Sequence, residues 1–200
     1  MLKKLGLLSI ATASLFAMHE LELNINDVDL ETGIKLDMGQ FNNAVEPNTT
    51  FLGFKYLKSD KDYSDYDDPD AYLETSFMIQ REIKNGFYAG IGVKLNYISS
   101  DEYDTDFMSI PLGIKVGYIY DRFVLPISGS FEVHYAPKVL SLQDAKSYYE
   151  YRFNVDVEVI KNGSVNLGFR DLETKYDVSG YDSEYYKYDR SAYIGFKFRF

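Results

Sequence analysis

Residues 86–98 read GFYAGIGVKLNYI, and the fold follows from sorting that stretch by parity. Phe87, Ala89, Ile91, Val93, Leu95 and Tyr97 fall on one side of an extended chain. Tyr88, Gly90, Gly92, Lys94 and Asn96 fall on the other. Successive side chains of a strand point to opposite faces, so this alternation predicts a strand. It is longer than the roughly five or six residues usual in soluble proteins.

The same pattern runs through the rest of the chain. In 109–120, Ile110, Leu112, Ile114, Val116, Tyr118 and Tyr120 share a face. In 123–135 the shared face is Phe123, Leu125, Ile127, Gly129, Phe131, Val133 and Tyr135, against Ser128, Ser130, Glu132 and His134. Runs 148–160, 164–170 and 192–200 repeat it, and weaker runs lie at 19–25, 29–38, 50–57 and 71–82. Lys84-Asn85-Gly86, Asp121-Arg122 and Lys161-Asn162-Gly163 read as tight turns, Asn-Gly being the strongest hairpin signal. Longer polar loops are expected near 58–70, 99–106, 137–147 and 176–190. Asn26-Asp27-Val28 would be a very short turn on the long-loop side. The sum is an all-β, antiparallel up-and-down barrel of about 10 strands, with 8 as the alternative.

Alternation alone does not say which face looks outward. Four features favour a transmembrane barrel. No charge interrupts the apolar face in the last six runs, where a Lys or Arg at the bilayer midplane would cost about 2–4 kcal/mol. Aromatics cluster near the ends of those faces, as in Phe87 and Tyr97, Tyr118 and Tyr120, Tyr149 and Tyr151. The opposite faces carry both signs of charge, including Lys94, Lys115, Glu132, Arg152, Asp156, Arg170 and Lys197. Such a lumen would be filled by paired side chains. Finally, Phe196, Phe198 and Phe200 form a terminal strand with an aromatic end, the pattern of a signal for the barrel assembly machinery.

The N-terminus differs in kind. Lys3 and Lys4 precede a short apolar run from Leu5 to Phe16, the pattern of a secretory signal peptide. The expected division is 1–17 as signal peptide and 18–200 as barrel, exported through the periplasm to the outer membrane of a Gram-negative bacterium. The net charge of −10 excludes nucleic-acid binding, which needs clustered cations. The absence of Cys excludes disulfides, thiolate metal sites and a lipidated N-terminal Cys.

YAPKVLSLQDAKSYYEYR at 135–152, the turn at Asn162-Gly163, LGFR at 167–170 and the closing YIGFKFRF at 193–200 resemble the YfaZ family of outer-membrane proteins. VDLETG at 28–33 and LGFKYLKSD at 52–60 are similar to that family's N-terminal half. The resemblance implies location and architecture and assigns no activity. The acidic segment 58–70 and the Tyr-rich segment 176–190 depart from it.

Three groups of residues carry candidate chemistry. Ser130, Glu132 and His134 share an inward face near the outer rim, and a hydrolase site that modifies lipid can be written from them. The alternative is a lumen histidine held by Glu132 or by a carboxylate on a neighbouring strand. Asp60, Asp62, Asp65, Asp67, Asp68 and Asp70 form a carboxylate cluster that could take calcium, although it lacks the Gly and closing Glu of an EF-hand loop. Tyr176, Tyr181, Tyr185, Tyr186 and Tyr188 could form a recognition surface or a rim packed on lipid headgroups. The glycines at 90, 92, 113, 117, 168 and 195 show no phosphate-loop spacing, and no cofactor is expected. Outer-membrane lipid and lipopolysaccharide are the expected surroundings, with no extracellular ligand identified. The leading expectation is a structural or surface-interaction protein with a packed polar lumen; a narrow pore and a lipid-modifying enzyme are the alternatives.

Overall fold

The computed structural model describes residues 19–59, 71–100, 105–120, 125–143, 145–176 and 185–200. The expected signal peptide, the Asp60–Asp70 cluster and the Asp121-Arg122 turn lie outside the described residues.

Ten strands form one closed sheet. They are β1 Glu20–Ile25, β2 Asp29–Asp37, β3 Thr50–Ser59, β4 Tyr72–Lys84 and β5 Phe87–Ser100. Next come β6 in two pieces, Thr105–Ser109 and Leu112–Tyr120, and β7 in two pieces, Ile127–Ala136 and Ser141–Gln143. The last are β8 Ala145–Ile160, β9 Gly163–Tyr176 and β10 Tyr185–Arg199. Each pairs antiparallel with its neighbour in sequence. β10 closes on β1 from Glu20↔Arg199 to Ile25↔Ile194. An even number of strands brings both ends to one rim, where His19 N–H donates to Phe200 C=O at 3.1 Å and Phe200 N–H to His19 C=O at 2.9 Å. Ten strands, rather than the alternative eight, make this barrel.

The turns obey local chemistry. Asn85 and Gly86 take φ of 50° and 83°, the left-handed pair that suits a two-residue hairpin. Asn26 Oδ1 accepts from the backbone N–H of Val28 at 2.8 Å and of Asp29 at 2.7 Å, which explains how so short a turn closes.

Two connections differ from the sequence expectation. Segment 137–147 is not a loop. Pro137 cannot donate to the ladder, and Lys138–Leu140 makes one 3-10 turn; Ser141–Gln143 then resumes the same course beside Phe107–Ser109. Ile110 N–H donates to Leu140 C=O at 2.8 Å and bridges the excursion. Conversely, the rim that carries the tight turns also carries one long connection, 38–49. It is organised by Asp37, whose carboxylate accepts from Gly39 N–H at 3.0 Å and Asn48 N–H at 2.8 Å. Strands β9 and β10 also run further toward the long-loop rim than the expected 164–170 and 192–200.

The faces are inverted relative to a soluble barrel. Leu21, Leu23, Phe54, Phe77, Ile91, Ile114, Phe131, Phe153, Leu167 and Ile194 are exposed. Glu31, Glu74, Lys94, Glu150, Arg152 and Arg170 are buried. Aromatic rings share this outward face, where Tyr118 sits 6.4 Å from Tyr120 toward the turn rim and Phe131 stacks on Tyr151 at 6.5 Å.

Candidate functional site

The lumen is the place where charged groups converge, and it has three levels. The level nearest the long-loop rim is apolar. Leu57, Tyr72, Ile98, Phe107, Tyr148, Leu172 and Tyr188 point inward and pack together, with Ala136 and Ala145 among them. Tyr72 lies 5.5 Å from Tyr188 and Phe107 lies 5.6 Å from Tyr148, ring to ring. The Tyr72 and Tyr148 hydroxyls meet at 2.9 Å, and Tyr148 donates to Glu150 at 3.1 Å. These side chains close the barrel like a lid.

Below the lid lies a belt of buried ions. Arg152 reaches across the barrel from β8 to Glu31 on β2, donating through Nη1 at 2.7 and 2.9 Å, and also bonds Glu150 through Nε. Lys94 bridges Glu74 at 3.0 Å and Glu150 at 2.9 Å. Arg170 is held by Asp29 at 3.3 Å and by Asp189, and its guanidinium lies 5.0 Å from the Tyr193 ring. Burying a lone charge is prohibitive, so opposite charges must meet within the wall. Every ion of this belt does so. Asn24 links its lower edge by donating to Glu22 and Glu31, both at 2.8 Å.

The half nearer the tight turns is not filled. A cavity of about 420 Å³ lies there, lined among others by Phe51, Lys55, Tyr88, Lys115 and Arg152. Gly86, Ile119 and Ser128 place it at the turn rim. The lumen expected to be packed throughout is packed only from the ion belt to the lid. Narrow side chains explain the space: Gly33, Gly53, Ser76, Ser128 and Ser130 occupy inward positions here, where long side chains would fill it.

The candidate residues separate. Ser130, Glu132 and His134 do lie on one inward face of β7. Glu132 is paired with Lys115 at 2.6 Å, and neither nitrogen of the buried His134 ring makes a hydrogen bond. His134 is therefore not hydrogen-bonded to Glu132 or to a neighbouring carboxylate, contrary to the expectation; its ring lies over Gly113, where an added Cβ would come within 2.1 Å of Cδ2. A base oriented by an acid, which a triad requires, is not formed. Among the described residues no three His, Asp or Glu side chains group as metal ligands. Of the Tyr-rich segment, Tyr188 belongs to the lid, and Tyr181 lies outside the described residues. Phe196 and Phe198 face outward on β10, and Phe200 meets His19 edge-on at 5.8 Å.

The lid itself was missed by reading the sequence, although a signal existed. Five lid residues sit two places beyond an inward polar residue: Tyr72 beyond Glu74, Ile98 beyond Asn96, Phe107 beyond Ser109, Tyr148 beyond Glu150 and Leu172 beyond Arg170. Following the inward parity to the last residue of each run, and past its end at Phe107 and Leu172, would have found them. His19, which in the sequence reads only as an unremarkable neighbour of the expected cleavage site, has a structural part. It stacks on Phe41 at 5.1 Å and accepts from Asp37 N–H at 3.2 Å, fastening the seam between β1 and β10.

Comparison with known proteins adds three findings. The family model described as "YfaZ precursor" matches residues 2–200. No curated protein matches the chain. Among solved structures, a similar one is the crystal structure of the outer membrane channel DcaP of Acinetobacter baumannii, at 11% identity and a TM-score of 0.35. The likeness covers 90% of this chain and 54% of that one, so the chain spans about half the length of this neighbour.

Proposed function

The chain belongs to the YfaZ family, and from that premise we propose that it is a closed outer-membrane barrel with a structural or surface-interaction role. One observation carries the reading: the exposed middle of the wall is apolar, while the buried lumen is ionic and lidded. In water this arrangement would expose the greasy surface and hide the charges, against the hydrophobic effect. Against acyl chains it is the stable one, because the wall is then matched to lipid and the backbone is satisfied by a sheet without edges. On this reading the rim of the tight turns, with His19 and Phe200, faces the periplasm, the lidded rim faces outward, and residues 1–17 are an export signal removed on secretion.

The second reading is a narrow pore, and the cavity at the turn rim is what favours it. The lid and the ion belt support the closed barrel instead, since both occupy the cross-section above that cavity. Two measurements test the choice. Cell fractionation with a heat-modifiable gel shift should find a folded barrel in the outer membrane; a protein that stays monodisperse in buffer without detergent would refute the orientation. Planar-bilayer recordings should then show no steady conductance, and a stable open level would transfer the assignment to the pore.

A further inference from the structure

We propose that the cavity at the turn rim is a binding site for a small oxyanion, a carboxylate or phosphate group, entering from that rim. The cavity volume of about 420 Å³ falls in the range of small-molecule sites, roughly 300–1,000 Å³. What assigns the charge of the guest is the way the ion pairs of its wall are turned. Glu20 is shared by Lys35 at 2.8 Å and Arg199 at 3.1 Å. The Glu20 side chain is only 8% exposed, whereas Lys35 is 37% and Arg199 40% exposed. Glu22 is likewise shared by Lys55 at 3.2 Å and Lys197 at 3.8 Å, and Lys55 is the more open partner, 21% against 11%. At Glu20, and at Glu22 where Lys55 meets it, the cation is thus the more open partner, while Lys197 at 10% and Asp156 at 12% are level and Glu82 is an exposed carboxylate of the same lining.

The floor supplies a second, independent observation. Arg152 is 2% exposed and lines the cavity. Its Nε and Nη1 are engaged by Glu150 and Glu31, but Nη2 has no hydrogen-bond partner, with Glu74 standing 3.9 Å away. An unmade hydrogen bond at a buried guanidinium is costly, and the missing partner must be an acceptor. An oxyanion in the cavity would lie among the Lys35, Lys55 and Arg199 heads at the sides, and a small rotation of the Arg152 head at the floor would bring that enclosed donor to it. Arg is suited to this because its fork matches carboxylate and phosphate oxygens. The paired carboxylates keep the empty site near neutrality, so it persists without a guest.

The test is isothermal titration of inorganic phosphate, and separately of acetate, into the folded, detergent-solubilised barrel. Saturable binding is expected. Lys35→Gln with Arg199→Gln should weaken it by roughly tenfold or more, the worth of a lost charge-assisted bond. The charge-keeping pair Lys35→Arg with Arg199→Lys should stay close to the parent. Glu20→Gln, which releases both cations, should tighten binding, and a merely structural network would not respond in that direction. The heat-modifiable gel shift verifies that each variant is folded. Absence of saturable heat with both anions, equal affinity in the Gln pair, weaker binding in Glu20→Gln, or preferential uptake of the amine ethylenediamine would each overturn the proposal.

Discussion

Placing one arginine on the outer wall tests the central physical claim. Ile114 is 58% exposed, lies on the outward face of β6, and is flanked across the sheet by Ile91 and Val133. From Ile110 to Tyr120 that face rises about 25 Å, taking about 3.3 Å per residue and a strand tilt near 40°. Ile114 therefore sits close to mid-height. It packs little against the protein, so the cost of Ile114→Arg is set by the medium outside the wall. In hydrocarbon that cost is about 2–4 kcal/mol at the midplane, and it falls to about 0–1 kcal/mol near the interface, where Tyr118 lies. In water an exposed substitution away from special features stays within about 0.5 kcal/mol. The assay is urea titration of the barrel folded into phosphatidylcholine vesicles. It is followed by the heat-dependent mobility shift, since the chain has no Trp to report unfolding. Ile114→Arg should lower stability several times more than Tyr118→Arg. Losses below about 0.5 kcal/mol at both positions would show that lipid does not surround this wall.

Two further substitutions probe the interior. Arg152→Met removes the group that joins Glu31 and Glu150, and should cost about 3 kcal/mol, the low end for a broken buried pair because Lys94 and Lys55 still reach those carboxylates. Adding Glu31→Gln should return more than about 1 kcal/mol of it in the same urea assay, and strict additivity would disprove the coupling. Gly113→Ala drives a methyl into the His134 ring, so a loss of about 1–3 kcal/mol is expected. His134→Ala in the same chain should relieve that loss; a doubly impaired protein would place the ring elsewhere.

The candidate chemistry was less legible than the fold, and His134 shows why. Its inward face was readable from parity on β7, as was that of Glu132. Whether the two meet depends on Lys115, which comes from the adjacent strand and takes the carboxylate first. Strand register is a long-range property, so no local spacing could have disclosed it. The same holds for the cavity. Its cations were each visible as inward charges, but their exposure depends on which neighbour each carboxylate leans against.

Alternation of period two, Asn-Gly turns and an uninterrupted apolar face already determined a barrel of about ten strands with its charges enclosed. Those signals are local, because each strand must show one face to lipid along its whole length. The tertiary structure alone decided that 137–147 rejoins the sheet, that inward apolar side chains from eight strands meet as a lid, and that Arg152 spans the barrel to Glu31. These depend on closure, which brings residues distant in sequence to the same height. A strand does not record in its own residues which partners will stand across the lumen.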